Sequence, residues 1–194
     1  MGKWAVIYSS VTGNTKKVAE AIAGAAEEAD IYDVKNAPED LSGYEVALLG
    51  YWLRRGGPDP LMEQYLPKVH DIKVALFETH GAKPGDEHVI TAFPRAAYML
   101  GKGCEIVATF GCRGKINPKL LERRRQAPPD DPHGGAKQAE KRFAEAASHP
   151  DDHDIEAARE FAKRVRHKID LVERFNARQA ARLAEIKSLH KADK

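Results

Sequence analysis

Apolar and polar positions alternate in two rhythms along the chain, and the rhythm switches at regular intervals. A first apolar run, residues 3–9 (KWAVIYS), reads as a strand. Residues 14–28 then place Val18, Ala21, Ile22 and Ala25 at helical spacing and predict an amphipathic helix. The short alternating segment 30–34 predicts a strand at a sheet edge, and 36–43 is turn-rich and too short for a full helix. Residues 44–51 (YEVALLGY) are apolar almost throughout, as in a strand buried on both faces. Asp59 before Pro60 reads as the N-cap and first position of a short helix. Residues 73–79 (KVALFET) predict a fourth strand, 86–100 a helix kinked at Pro94, and 104–110 (CEIVATF) a fifth strand.

Beyond residue 112 the pattern is helical. Residues 120–125 read as a short basic helix, 127–135 (APPDDPHGG) as linker, and 136–147 as another helix. His149, Pro150 and Asp151 are start signals for a last helix, with Ile155, Ala158, Phe161, Ala162 and Val165 at core-facing spacing. That pattern runs on through Ile169, Val172 and Phe175, beyond the length of an ordinary domain helix. Alternating β and α segments predict a parallel sheet with helices on both faces, joined by right-handed crossovers. On this reading residues 1–170 form one domain, with 113–148 inserted before its last helix, and 171–194 form a basic helical tail.

The loop between the first strand and first helix, Ser9-Ser10-Val11-Thr12-Gly13-Asn14-Thr15, carries the clearest chemistry. First-turn N–H groups have no intrahelical partner, and the helix dipole places partial positive charge there, which suits a phosphate monoester. Ser and Thr hydroxyls add neutral donors, and Gly13 lets backbone approach closely. The loop lacks the Lys of the G-x-x-x-x-G-K-[ST] nucleotide loop and the G-x-G-x-x-G of dinucleotide sites. The same residues would also serve as an ordinary Ser/Thr/Asn helix cap.

This stretch resembles the FMN phosphate loop of flavodoxins, [ST]-x-T-G-x-T at the end of the first strand, with Ser10, Thr12, Gly13, Asn14 and Thr15 matching. The resemblance implies a three-layer α/β flavodoxin-like fold. Its five-stranded parallel sheet would have the order 2-1-3-4-5, here with a helical C-terminal extension. Ligands in such a sheet bind at the carboxyl ends of the strands, where the strand order reverses. The resemblance further implies Trp52, or else Tyr51, as an aromatic wall for the flavin ring. It implies polar backbone from Gly56 and Gly57, whose shared peptide is free to flip, and from Thr79, His80, Gly81 and Ala82. The loop 79–85 carries no aromatic for the outer flavin face. Arg54 and Arg55 stand where the family typically has an acidic rim, and Gly111, Arg113 and Gly114 lie in the loop expected after the fifth strand.

Composition refines this picture. The chain has 194 residues, 42% hydrophobic and 31% charged, enough for one core with an appendage. Nothing approaches the roughly 20 apolar residues of a membrane helix. Met1-Gly2-Lys3 leads straight into the first strand, with no secretory leader pattern. Cys104 and Cys112 fall on one face of the predicted fifth strand and read as buried thiols in a reducing cytoplasm. Net charge is +2, but residues 1–112 hold 11 basic and 15 acidic side chains while 113–194 hold 20 and 14. His149 and His153 beside Asp151, Asp152 and Asp154 read as an acidic helix start rather than a metal set.

No nucleophile–base pair or paired carboxylates support a hydrolase. The resemblance implies an FMN protein carrying electrons to and from an unidentified redox partner protein. An NAD(P)H-dependent FMN or quinone-type reductase is the alternative. A flavin-free module binding a partner or nucleic acid is a third reading, against which the intact phosphate loop argues. The long last helix offers a surface for a homodimer.

Overall fold

The computed structural model describes residues 2–83, 85–126 and 136–192. Strands β1 (Trp4–Tyr8), β2 (Ala29–Asp33), β3 (Val46–Trp52), β4 (Lys73–His80) and β5 (Glu105–Arg113) form one sheet. All neighbours are parallel and the order is β2-β1-β3-β4-β5, as the sequence predicts. Helices α1 (Asn14–Ala25) and α6 (Asp152–Ala192) pack on one face, and α2 (Pro60–Tyr65) and α3 (Glu87–Met99) on the other. Helices α4 (Pro118–Arg125) and α5 (Ala136–Ala146) lie between β5 and α6 in sequence and touch each other.

The period of two in β1 builds both cores at once. Trp4, Val6 and Tyr8 meet Val18, Ile22, Phe161 and Val165 on the α1/α6 side. Ala5 and Ile7 join Leu49, Leu76, Met62 and Leu66 on the α2 side. Helix α6 contributes a stripe of Ala158, Phe161, Ala162, Val165 and Ile169, each at most 1% exposed. Phe161 stacks on Phe110 with centroids 5.4 Å apart. Arg166 locks the same helix in place: it bonds both Glu45 oxygens, at 3.0 and 2.8 Å, and lies 4.8 Å over the Trp4 ring. Past Ile169 the helix leaves the core, and Leu171, Phe175 and Leu183 are more than half exposed. Forty-one helical residues span about 60 Å, longer than the sheet it covers.

Several predicted boundaries move, each for a hydrogen-bonding reason. Helix α1 stops at Ala25, before the predicted residue 28, because the Glu28 carbonyl already accepts from Trp4 N–H to begin the β1–β2 ladder. β3 includes Trp52, and β4 includes His80, so neither residue lies in a loop. β5 begins at Glu105 and continues to Arg113, since Gly111, Cys112 and Arg113 pair with Glu78, Thr79 and His80. Cys104 therefore precedes the strand. A bulge leaves Val107 between the pairs Val74–Ile106 and Ala75–Ala108, which changes the facing of everything after it. Cys112 consequently enters the α1/α6 core while Cys104 packs toward the opposite one, so the predicted shared face is incorrect.

Pro94 sits within α3. The predicted linker 127–135 lies outside the described residues. At the start of α6, Asp151 and Asp154 bond each other's backbone N–H at 3.0 and 2.9 Å, and His149 Nδ1 meets Asp154 at 2.5 Å. These carboxylates act as helix caps, and His153 stands outside the group.

Removing the stacked ring with Phe161→Ala is expected to cost about 3–5 kcal/mol in urea denaturation. Phe175→Ala, on the exposed part of the same helix, is expected to change stability by no more than about 0.5 kcal/mol.

Candidate functional site

At the carboxyl end of β1 the Ser9 N–H donates to the Gly50 carbonyl at 2.8 Å, and the chain then leaves the sheet. Gly13 turns it into α1 with φ +85°, a backbone that favours glycine. As the N-cap residue it has no side chain to offer, and among the described residues no other side chain caps the helix. The first-turn N–H groups thus face the loop without a side-chain acceptor. Ser10 Oγ accepts from Gly13 N–H at 3.1 Å, and Thr12 Oγ1 accepts from Asn14 Nδ2 at 2.9 Å, which leaves both hydroxyl protons free to donate. This donor set fits a phosphate, and the carboxylate that touches the loop, Asp59, is buried and accepts from the Ser9 hydroxyl.

Two predicted donors are used differently. Ser9 is 1% exposed, and its hydroxyl donates to Asp59 Oδ1 at 2.7 Å. Thr15 and Thr79, both buried, share a hydrogen bond of 2.9 Å. These two residues tie the loop to the start of α2 and to the end of β4. Asn14 Nδ2 also donates to the Lys115 carbonyl at 2.8 Å, which brings in the loop after β5. Gly114 packs so closely there that a Cβ would stand 2.8 Å from Asn14 Nδ2. The Gly114 N–H in turn donates to the His80 carbonyl at 2.9 Å, and Leu53 N–H to the Thr79 carbonyl at 2.9 Å. The strand-end loops therefore form one hydrogen-bonded rim.

The two candidate aromatics separate clearly. Tyr51 is fully buried and meets Phe93 of α3 edge-on, centroids 6.4 Å apart, so it offers no ring to a ligand. Trp52, half-buried at the strand end, carries an indole N–H with no acceptor among the described residues. The loop that follows is a two-residue turn. Arg54 and Gly57 exchange backbone hydrogen bonds of 2.8 and 3.1 Å across Arg55 (φ +53°) and Gly56 (φ +75°), the signs of a type I′ turn. Flipping the Gly56–Gly57 peptide would cost the Gly57 N–H bond to Arg54, so that peptide is held rather than free. His80 is buried and its Nδ1 lies 3.0 Å from the Ala82 carbonyl; burial lowers its pKa. Gly81 packs against Ile116. The N–H groups of Gly81 and Ala82 have no acceptor among the described residues.

Sequence reasoning overlooked two acids at this edge. Asp59, 1% exposed, was read only as a helix cap; it accepts from both Ser9 Oγ and Leu61 N–H, and burial raises its pKa. Glu78 is fully buried on β4, and neither carboxyl oxygen has a hydrogen-bond partner among the described residues. The hydroxyl of its strand neighbour Tyr51 faces this carboxyl outside good hydrogen-bond geometry and partly offsets the effect of burial. Burial pushes the Glu78 carboxyl up to about 7. The signal for Glu78 was present as the one acid inside the apolar run 73–79.

Comparison with known proteins adds to this geometry. A sequence model of the Flavodoxin domain matches residues 5–163. The chain is 35% identical over 174 residues to the flavodoxin-like domain-containing protein BilS of Clostridioides difficile (strain CD3), covering 86% of this chain and 98% of that one. It is 29% identical over 179 residues to BilS of Clostridium symbiosum (strain WAL-14163), covering 82% and 93%. Among solved structures, oxidised Flavodoxin 2 from Bacillus cereus superposes with a TM-score of 0.55 at 18% identity, over 86% of this chain and 99% of that one. Among the described residues, no helix is long and apolar enough to cross a membrane.

The raised Glu78 carboxyl makes stability depend on pH. Its folded value, about 7, lies above the ordinary 4.5, so the native state holds this proton more tightly than the unfolded chain. Its contribution is full below pH 4.5 and is lost as pH rises to 7, a decline of about 3 kcal/mol. Glu78→Gln is expected to remove that decline and to raise the unfolding midpoint at pH 8, as read by urea titrations across the range.

Proposed function

The chain belongs to the flavodoxin family, and on that premise we propose that it binds FMN at the carboxyl ends of its strands and carries electrons between redox partner proteins. The observation that carries this reading is the uncapped start of α1, set among free hydroxyl donors where the strand order reverses between β1 and β3. Ser10, Thr12, Asn14 and the first-turn N–H groups would hold the phosphate. Ser9 and Thr15 would fix the cradle through Asp59 and Thr79. Trp52 would cover the ring, and the N–H groups of Gly81 and Ala82, beside Gly56, Gly57 and His80, would meet its polar edge. When bound, the flavin supplies reversible one- and two-electron chemistry.

The protein's own part is to position and shield. The hydrogen bonds among the strand-end loops fix the donors before the ligand arrives, which lowers the ordering cost of binding. We place this activity in a reducing cytoplasm, where the free thiols Cys104 and Cys112 persist; burial pushes the Cys112 thiol up to about 12, making it inert.

Purified protein is expected to show the visible bands of oxidised flavin, or to quench FMN fluorescence on titration. Thr12→Asp, at an exposed position of the cradle, is expected to weaken FMN binding at least tenfold by charge repulsion while leaving the thermal melt unchanged. A carrier is also expected to resist reduction by NAD(P)H alone under anaerobic conditions. Failure to bind FMN sinks the proposal, and rapid reduction by NAD(P)H would replace the carrier with a reductase.

A further inference from the structure

The two ends of the sheet differ in how their charges are paired. Residues 1–112 carry more acids than bases, 15 against 11. In a parallel sheet, chain entering strands gathers at one edge and chain leaving them at the other. The entering edge is mixed: Glu28, Asp30, Glu45, Asp71 and Glu105 stand there beside Lys3, Lys73 and Lys102, with Asp30 paired to Lys3 and Glu45 to Arg166. The leaving edge is mainly basic. Lys16 and Lys17 follow β1, Arg54 and Arg55 follow β3, and Lys83 follows β4. Arg95 of α3 joins them by donating to the Arg55 carbonyl at 3.0 Å. Asp33, Asp86 and Glu87 share that edge, but Asp33 and Asp86 accept from the backbone N–H groups of Lys35 and Lys83.

We propose that this basic edge, centred on Arg54, Arg55 and Arg95, is the docking surface for an electron-exchanging protein that presents its redox centre within an acidic face. The proposal rests on the flavin reading and names the kind of partner it requires.

Three observations support it. Arg54, Arg55 and Arg95 are exposed, and among the described residues no carboxylate lies within 4 Å of any of them. The turn that carries Arg54 and Arg55 is rigid, closed by two backbone bonds and braced by Arg95. Arg55 occupies a left-handed backbone that Asn or Gly would adopt at lower cost, yet a cation stands there. A small anion is the weaker fit because no hollow encloses these arginines: that of about 390 Å³ between α4 and α5 and that of about 100 Å³ beside residues 39–44 include none of Arg54, Arg55 and Arg95. Opposed charge around two redox centres accelerates encounter and fixes orientation without requiring a deep pocket.

The test uses FMN-loaded protein reduced with dithionite and mixed in stopped flow with ferric c-type haem proteins, one of net negative and one of net positive charge. Two ferric haems take the two electrons of one reduced flavin and become ferrous, and the flavin's protons pass to water. The rate with the acidic haem protein is expected to fall at least tenfold between about 20 mM and about 500 mM salt. Arg54→Glu/Arg55→Glu is expected to abolish that dependence while FMN stays bound. A basic haem protein that reacts faster at low salt, or a double variant with an unchanged salt dependence, overturns the proposal.

A second readout needs no flavin. Titrating the ¹⁵N-labelled flavin-free chain with the acidic haem protein is expected to shift amide resonances of residues 52–57 and 83–95. Shifts there without FMN binding would fault the flavin reading alone. Shifts elsewhere, none at all, or displacement of the haem protein by a single-stranded oligonucleotide at lower concentration would fault the docking surface.

Discussion

A parallel sheet buried on both faces is the constraint from which the rest follows. β1 and β3 lie inside the sheet with almost no exposed side chain, so the chain can return only through crossovers packed above and below. Every strand must then leave the sheet at the same edge. Loops far apart in sequence are forced together there: residues 9–13, 53–57, 81–83 and 114–115 share one rim because their strands share one direction. The functional edge is thus a product of how the core is buried.

What makes that rim a site rather than a collection of loop ends is a set of long-range hydrogen bonds. Ser9 reaches Asp59, Thr15 reaches Thr79, Asn14 reaches the Lys115 carbonyl, and Gly114 reaches His80. Each satisfies a polar group that would otherwise be costly at a partly buried edge. Together they hold the first turn of α1 open toward solvent with its donors unspoken for. The opposite edge has a different role: Arg166, Glu45 and Trp4 clamp α6 across the entering ends of the strands. The clamp on α6 and the candidate site thus lie at opposite ends of one sheet.

Glu78 is one of several buried polar groups without a well-formed partner among the described residues, Trp4 Nε1, Asp59 Oδ2 and Arg113 Nε being others. A buried carboxyl whose polar neighbour is a poorly aligned phenol is a stability cost that an apolar residue would avoid. Its position, two residues before the end of β4, places that cost beneath the rim rather than in the body of the core. Sites commonly hold groups whose environment the fold would not otherwise choose.

Periodicity by itself marked the elements. The alternation of apolar runs with helical spacing specified five strands and their parallel direction, while the order came from the resemblance of the first loop to a known family. The phosphate-type loop was legible because strand, hydroxyls, glycine and helix are adjacent in sequence. The stripe of α6 was equally plain, since 3.6-residue spacing is local information. Only the tertiary structure decided matters that depend on neighbours. Tyr51 and Trp52 are adjacent aromatics, and which one reaches the edge depends on where β3 ends against β4. β5 ran past its glycine because the partner strand offered hydrogen bonds through His80. The bulge at Val107 reversed the facing of Cys112, which no count of even spacing reveals. Ser9 and Thr15 became braces rather than open donors because Asp59 and Thr79, 50 and 64 residues away, stand beside them. Local pattern encodes what a segment forms; which of its polar groups remain free is set by groups that only folding brings within reach.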